Sequence, residues 1–183
     1  METFHFRNHD FVVRRHHSES DYEAFLVPYL CKMLPDYHIL PFKTGVFASH
    51  DYGVRRADLV FIHREYKNWI VVEVELSHHS LDSHVYPQAF TFRNGEYNQK
   101  HVNYLLGKCS DLDANKLEYL IIYNPPEVLV IVDDPIVYDR NWNRLNDVCQ
   151  IAIGIPFRNE HSEYGLHYNG WFPESYRDRT EVI

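Results

Sequence analysis

The sequence predicts a mixed α/β (α+β) fold. Helical and strand-like segments follow one another in the order helix, strand, strand, strand, helix, strand, which is typical of these classes. Hydrophobic residues make up 45% of the 183 residues and aromatic residues 15%, so the chain is long and apolar enough to bury a core. We expect residues 1–183 to form a single domain.

The first helix is predicted after residue 19. Ser20–Glu23 has the pattern of a capping box, and Pro35 ends the helix. Apolar residues recur at helical spacing between them, at Phe25, Leu26, Tyr29, Leu30 and Met33. Residues 37–42 look like a strand at or near a sheet edge, because Pro41 cannot donate a hydrogen bond to a neighbouring strand.

Two apolar runs, residues 56–63 and 70–76, predict a β-hairpin. The later elements are predicted from apolar periodicity and from the Asn94-Gly95 break. They are a helix from Ser80 or Asp82 to about Arg93, a helix at 96–107, strands at 117–123 and 128–132, a helix at 142–153, and a last strand at 164–172.

Two acidic residues, Glu73 and Glu75, lie within the apolar run Ile70–Leu76. Side chains alternate across a strand, so both carboxylates point to one side. If the hairpin turn centres on Tyr66-Lys67, Asp58 pairs with Glu75 and has Glu73 as its diagonal neighbour. Buried carboxylates need a positive partner, and acidic oxygen-rich sites suit magnesium, manganese or calcium.

In this register Leu59, Phe61, Val72 and Val74 share the opposite face and form the core side. Within the predicted site, Gln88 on the following helix could face the acidic residues.

The net charge and the cysteine content limit the classes of protein to which the chain can belong. The formal net charge of −8 argues against binding to DNA through bulk positive potential, although a local basic groove would suffice. Cys31, Cys109 and Cys149 form neither a disulfide framework nor a zinc motif, so a reducing, cytoplasmic location fits best. No apolar run approaches the roughly 20 residues that span a bilayer.

These residues together resemble the PD-(D/E)XK nuclease superfamily. Glu23 on the first helix, Asp58 on the second strand and Glu73 on the third match its acidic positions, over about residues 18–133. The resemblance implies a restriction-endonuclease-like core, with a central mixed sheet flanked by helices and a C-terminal extension at 134–183. It also implies a metal-dependent nuclease that cleaves phosphodiester bonds, in DNA rather than RNA.

The resemblance further implies that Asp58, Glu73, the Val74 carbonyl and Glu23 hold Mg²⁺ or Mn²⁺. Glu75 stands where the family usually has a lysine, a variant that some restriction endonucleases share. It would position or deprotonate the attacking water. Gln88 matches the Gln of a Gln-x-x-x-Tyr motif that ends here in Phe92.

Two other functions remain open on the sequence. The chain could be a catalytically inactive nuclease-fold module that binds nucleic acid or a protein partner, as the missing lysine and the acidic charge suggest. It could instead be a histidine-rich zinc protein that uses His78, His79, Asp82 and His84. A homodimer or larger assembly is also left open.

Overall fold

The structure is a computed structural model that describes residues 3–6, 9–48, 52–134, 145–159, 161 and 164–171. Within these ranges there are ten strands, four α-helices and a π-helical turn at Leu81–Val85. The helices are α1 (Glu19–Met33), α2 (Tyr86–Asn94), α3 (Gln99–Leu106) and α4 (Ala114–Tyr123). The strands are β1 (Thr3–Phe6), β2 (His9–Val13), β3 (Tyr37–Pro41), β4 (Gly45–Phe47), β5 (Val54–Arg56), β6 (Leu59–His63), β7 (Trp69–Glu75), β8 (Glu127–Val132), β9 (Gln150–Asn159) and β10 (Tyr164–Gly170).

The fold is mixed α/β, as the sequence predicts. One sheet has the strand order β1-β2-β9-β8-β7-β6-β3, and β10 pairs along the other side of β9. β3, β6 and β7 form an antiparallel meander, whereas β7, β8 and β9 run parallel to one another. β4 and β5 form a separate two-stranded sheet. The prediction that residues 37–42 lie at a sheet edge is confirmed, since β3 ends the strand order.

Helices cover both faces of the central strands, so β7 is buried along its whole length. On one face α1 packs through Tyr22, Leu26 and Leu30. There it contacts the side that contains Leu59, Phe61, Val72 and Val74, as predicted. Helices α2, α3 and α4 cover the opposite face in a second apolar cluster, which includes Val60, Ile62, Trp69, Val71, Ala89, Phe92, Val102, Leu105, Leu117 and Leu120.

Helix α1 begins two residues earlier than the predicted capping box. Ser18 is the N-cap, and its hydroxyl accepts a hydrogen bond from the Asp21 backbone N–H at 3.1 Å. Ser20–Glu23 therefore lies inside the helix, which continues through Pro28 to Met33. Among the described residues no helix exceeds 15 residues, and none is both long and apolar enough to cross a membrane.

Residues 117–123 are helical, and the prediction of a strand there is wrong. The segment belongs to α4, where Asp113 caps the first turn by accepting from the Lys116 N–H at 3.0 Å. Its buried residues, Leu117, Leu120 and Ile121, have helical spacing. A short apolar run does not by itself distinguish a strand from a buried helix, and the cap decides this case.

The predicted helix at 142–153 is also wrong for its described residues, because residues 145–148 form a turn and β9 begins at Gln150. Residues 142–144 lie outside the described residues. Ile151, Ile153 and Ile155 are β-branched, and β9 gains ladders from β8, β2 and β10. Tertiary pairing thus overrides the helical spacing of the apolar residues. The structure confirms the remaining predicted helices as α2 and α3, and the predicted strands as β8 and β10.

Candidate metal centre

The β6–β7 hairpin brings Asp58 opposite Glu73. Leu59 pairs with Val72 at the start of β6, so the next opposed pair is Asp58 with Glu73. The Asp58 N–H donates to the Val72 carbonyl at 3.2 Å. The predicted pairing of Asp58 with Glu75 is therefore wrong by two residues. Because side chains alternate with a period of two, this shift keeps the three carboxylates on one face of the sheet, as predicted.

The hairpin turn explains the shift in register. Tyr66 has a positive φ of 58°, and its N–H donates to the His63 carbonyl at 2.7 Å. The His63 N–H donates to the Asn68 carbonyl at 3.1 Å. The turn thus centres on Glu65 and Tyr66, one residue earlier than the sequence predicts.

The Asp58 carboxylate is held against the backbone of β7. Its Oδ2 accepts a hydrogen bond from the Val74 N–H at 2.8 Å. The N–H and C=O of one strand residue point to the same side, so the Val74 carbonyl is also directed toward Asp58, beyond the start of β6. This places the Val74 carbonyl on the side that the proposed ligand set requires.

Lys43 supplies the positive charge that the sequence analysis did not find. Its ammonium group contacts Oδ1 of Asp58 closely and lies 2.7 Å from Oε2 of Glu23. The Phe42 N–H donates to the Asp58 carbonyl at 2.9 Å, which sets the next residue beside the Asp58 carboxylate. Burial lowers the pKa of Lys43, but the bonds to Asp58 and Glu23 outweigh this effect and leave it above its usual value.

Gln88 contacts Glu73, so the structure brings these two predicted residues together. The Gln88 side-chain amide donates to Oε1 of Glu73 at 2.5 Å. Oε2 of Glu73 has no hydrogen-bond partner among the described residues, although Glu73 is only 5% exposed. Burial, and then the nearby Asp58 and Glu75 charges, raise the pKa of Glu73 well above its usual value. We call Glu23, Lys43, Asp58, Glu73 and Gln88 the lysine cluster.

Glu75 belongs to a different group of side chains. Its Oε2 accepts a hydrogen bond from, or donates one to, Nδ1 of His79 at 2.7 Å, and its Oε1 lies 3.2 Å from Nε2 of His84. Oε1 of Glu19, the first residue of α1, lies 2.7 Å from the same His79 nitrogen. We call Glu19, Glu75, His79 and His84 the histidine cluster.

The histidine cluster has unusual electrostatics. Glu75 is 1% exposed, and burial together with the neighbouring Glu19 raises its pKa to about 9. Burial, and then the neighbouring His79, lower the pKa of His84. In the metal-free protein at neutral pH, Glu75 therefore favours its protonated form and His84 its neutral form.

The histidines predicted as zinc ligands are only partly brought together. His79 and His84 share the histidine cluster, whereas the His78 ring lies edge-to-face against His79 with ring centroids 4.5 Å apart. The side chain of Asp82 lies outside the described residues. Sequence reasoning missed Glu19 and Lys43. Only their positions in the sequence could have indicated them. Glu19 lies one helical turn before Glu23, and Lys43 comes shortly after the predicted edge strand.

Comparison of the chain with protein-family models, with curated proteins and with solved structures finds no match.

The residues present fit a hard divalent cation. Asp58, Glu73 and the Val74 carbonyl offer only oxygen atoms, which Mg²⁺ and Mn²⁺ prefer. The unpartnered Oε2 of Glu73 is a buried acceptor that a cation would satisfy. The ammonium group of Lys43 already binds Asp58 there, which shows that this end of the sheet attracts positive charge.

Proposed function

We propose that the protein is a metal-dependent nuclease whose active site is the lysine cluster, with DNA preferred to RNA as the substrate. One observation carries this proposal. Asp58 and Glu73 oppose each other at the end of two central strands, with a lysine ammonium bound to the first and a buried, unpartnered oxygen on the second. Carboxylates and a lysine at one point form a set suited to phosphoryl chemistry.

Asp58, Glu73 and the Val74 carbonyl would hold Mg²⁺ or Mn²⁺. When bound, the ion polarises the phosphoryl oxygen and lowers the pKa of bound water. We assign Glu23, which the resemblance implies as a metal ligand, to holding the Lys43 ammonium group, which it contacts at 2.7 Å. Gln88 orients the Glu73 carboxylate through its amide.

Lys43 takes the role that the resemblance assigns to the position of Glu75. Its pKa is raised by its bonds to Asp58 and Glu23, so its ammonium group stays protonated at neutral pH. It therefore acts as a hydrogen-bond donor that orients the attacking water and offsets charge on the phosphate, rather than as a general base. Arg55 could contact a further phosphate, because its Nε has no hydrogen-bond partner among the described residues.

The proposal includes a reducing, cytoplasmic location. Cys31, Cys109 and Cys149 are all free thiols, and Cys149 is buried. Free thiols are usual where disulfides do not persist.

The test is cleavage of single- and double-stranded DNA and RNA in the presence of Mg²⁺ or Mn²⁺. We expect metal-dependent cleavage that falls at least about 100-fold in Asp58→Asn and Glu73→Gln, which keep the side-chain shapes. Glu65→Gln, in the exposed turn of the same hairpin, is the matched control and should cleave like the wild type. Cleavage that persists in both site variants would refute the assignment of this site.

One specific observation favours the alternative function, a catalytically inactive nuclease-fold module. The Lys43 ammonium group binds Asp58 and Glu23 and thereby neutralises much of the site's charge without a metal. Such a module would bind nucleic acid or protein without cleaving the substrate panel. Its melting temperature would also not respond to Mg²⁺, whereas the nuclease should be stabilised by the metal.

A further inference from the structure

We propose that Glu19, Glu75, His79 and His84 form a second metal site, which binds a divalent transition-metal ion and matches zinc best. Each residue offers one ligand atom, and these four atoms lie within 4.8 Å of one another. The site is separate from the lysine cluster, with which it shares no residue. It also differs from the ligand set predicted from sequence, because two glutamates replace His78 and Asp82.

Four elements converge to build the site. Glu75 is the last residue of β7, and His79 follows in a turn where its N–H donates to the Leu76 carbonyl at 3.0 Å. His84 lies in the π-helical turn, and Glu19 is the first residue of α1. π-Helical turns such as this one occur frequently at functional sites.

The carboxyl groups of Glu19 and Glu75 interact directly. Oε1 of Glu75 accepts no hydrogen bond from an N–H or hydroxyl group of the described residues, although Glu75 is 1% exposed. The Glu75 carboxyl group is hydrogen-bonded to that of Glu19 when one of the two is protonated, and a bound cation would take the place of that proton. His84 Nε2 is 3.2 Å from Oε1 of Glu75 but lacks hydrogen-bond geometry. Oε1 of Glu19 is in the same state, 2.7 Å from His79 Nδ1 without a hydrogen bond. Buried acceptors of this kind are costly unless something positive satisfies them.

The spacing of the ligand atoms suits a small ion. Donors at zinc–nitrogen and zinc–oxygen distances of about 2.0–2.2 Å stand about 3.4 Å apart in a tetrahedron. The contacts of 2.7 and 3.2 Å would widen to reach that value, and the longer separations within the 4.8 Å cluster would shorten. His79 and His84 keep side-chain exposures of 28% and 43%, so both can make this adjustment, and an ion can enter from solvent.

The donor chemistry selects the class of metal. Two imidazole nitrogens favour zinc and similar transition metals over magnesium, which prefers oxygen ligands. Two carboxylates would neutralise a dication, so the bound site carries no net charge. Four protein ligands leave no position for water, which is typical of a structural zinc site. Bound zinc would therefore fasten the start of α1 to the end of β7.

The experiment is calorimetric titration of Zn²⁺ into the chelator-treated full chain, with Mg²⁺ in excess to occupy oxygen-only sites. We expect one equivalent of zinc to bind the wild type, and the double variant His79→Ala/His84→Ala to bind it at least 10-fold more weakly. His78→Ala is the matched control, because His78 adjoins the cluster without belonging to it, and should bind zinc like the wild type.

Two further readouts make the result specific. Co²⁺ in this site should give the intense visible absorption of tetrahedral coordination, and the double variant should lose it. Zinc should raise the melting temperature of the wild type but not of the double variant. The proposal is overturned if the wild type binds no zinc, if the double variant binds it equally well, or if Asp58→Asn removes the binding instead. The last outcome would place the metal at the lysine cluster.

Discussion

The lysine cluster and the histidine cluster are each built around a buried glutamate of β7, and the two glutamates differ in their neighbours. Glu73 and Glu75 are two residues apart on one face of β7, both are buried, and burial raises the pKa of each. Glu73 meets an amide and the Asp58 carboxylate, which a lysine binds. Glu75 meets two imidazoles and the carboxylate of Glu19.

The partner, and not the acidic residue, decides which chemistry a buried carboxylate supports. Oxygen donors with a nearby ammonium group suit magnesium and phosphate chemistry. Imidazoles with carboxylates suit zinc. A shift of two residues along one strand is enough to change between these environments.

The largest effect should follow from replacement of Lys43. We expect Lys43→Met to lower the rate of metal-dependent DNA cleavage about 10²- to 10³-fold, because it removes the donor next to the reacting groups. Lys67→Met is the matched control, since Lys67 pairs with Glu65 on the exposed hairpin turn. Single-turnover cleavage assays measure both. An unchanged rate in Lys43→Met would show that Lys43 only neutralises Asp58.

A smaller effect is expected on stability, in the histidine cluster. Folding raises the pKa of Glu75 from 4.5 to about 9, so the folded state binds more protons than the unfolded chain within this window. The free energy of unfolding therefore falls as the pH rises through it. Glu75→Gln removes this loss, and we expect it to stabilise the metal-free protein by on the order of 1–3 kcal/mol at pH 8, and not at pH 4.

Chemical denaturation in the presence of a chelator, at both pH values, measures this difference. Glu65→Gln should show no such gain at pH 8, because Glu65 is exposed. A destabilised Glu75→Gln protein at pH 8 would mean that Glu75 is ionised there and is held by the histidines.

The smallest effect is expected from loss of the N-cap of α1, which should alter the histidine cluster but not the lysine cluster. Ser18→Ala removes the N-cap that holds the first turn and should cost about 1 kcal/mol in the free energy of unfolding. Glu19 lies in that turn, whereas Glu23 lies one turn further, so zinc affinity should weaken while DNA cleavage stays unchanged. Ser20→Ala should change stability by no more than about 0.5 kcal/mol. Equal losses in the free energy of unfolding in Ser18→Ala and Ser20→Ala would support the capping box at Ser20 that the sequence predicts.

Much of the candidate site can be predicted from the sequence, because the alternation of side chains between the two faces of a strand is a local property. It places Asp58, Glu73 and Glu75 on one face, and that result survives the two-residue error in register. The error itself came from the turn, where the positive φ of Tyr66 has no strong sequence signal. Edge strand β3 was predictable from Pro41, which a central strand does not tolerate.

The parts that could not be predicted depend on contacts between distant segments. Lys43 reaches Asp58 only because β3 pairs with β6, and Glu19 reaches Glu75 only because α1 packs across the sheet. Residues 150–153 have helical spacing, yet they pair with the two strands β8 and β10. In each case tertiary pairing, which one sequence does not reveal, decided the outcome.

We propose that the end of β7 carries two metal sites of different chemistry. The most direct test is a crystal structure of the protein grown with Mn²⁺ and Zn²⁺ together, with anomalous diffraction recorded at the absorption edge of each metal. Manganese is expected between Asp58 and Glu73, and zinc among Glu19, Glu75, His79 and His84. A single shared site, or no metal with Lys43 still bound to Asp58, would contradict the proposal.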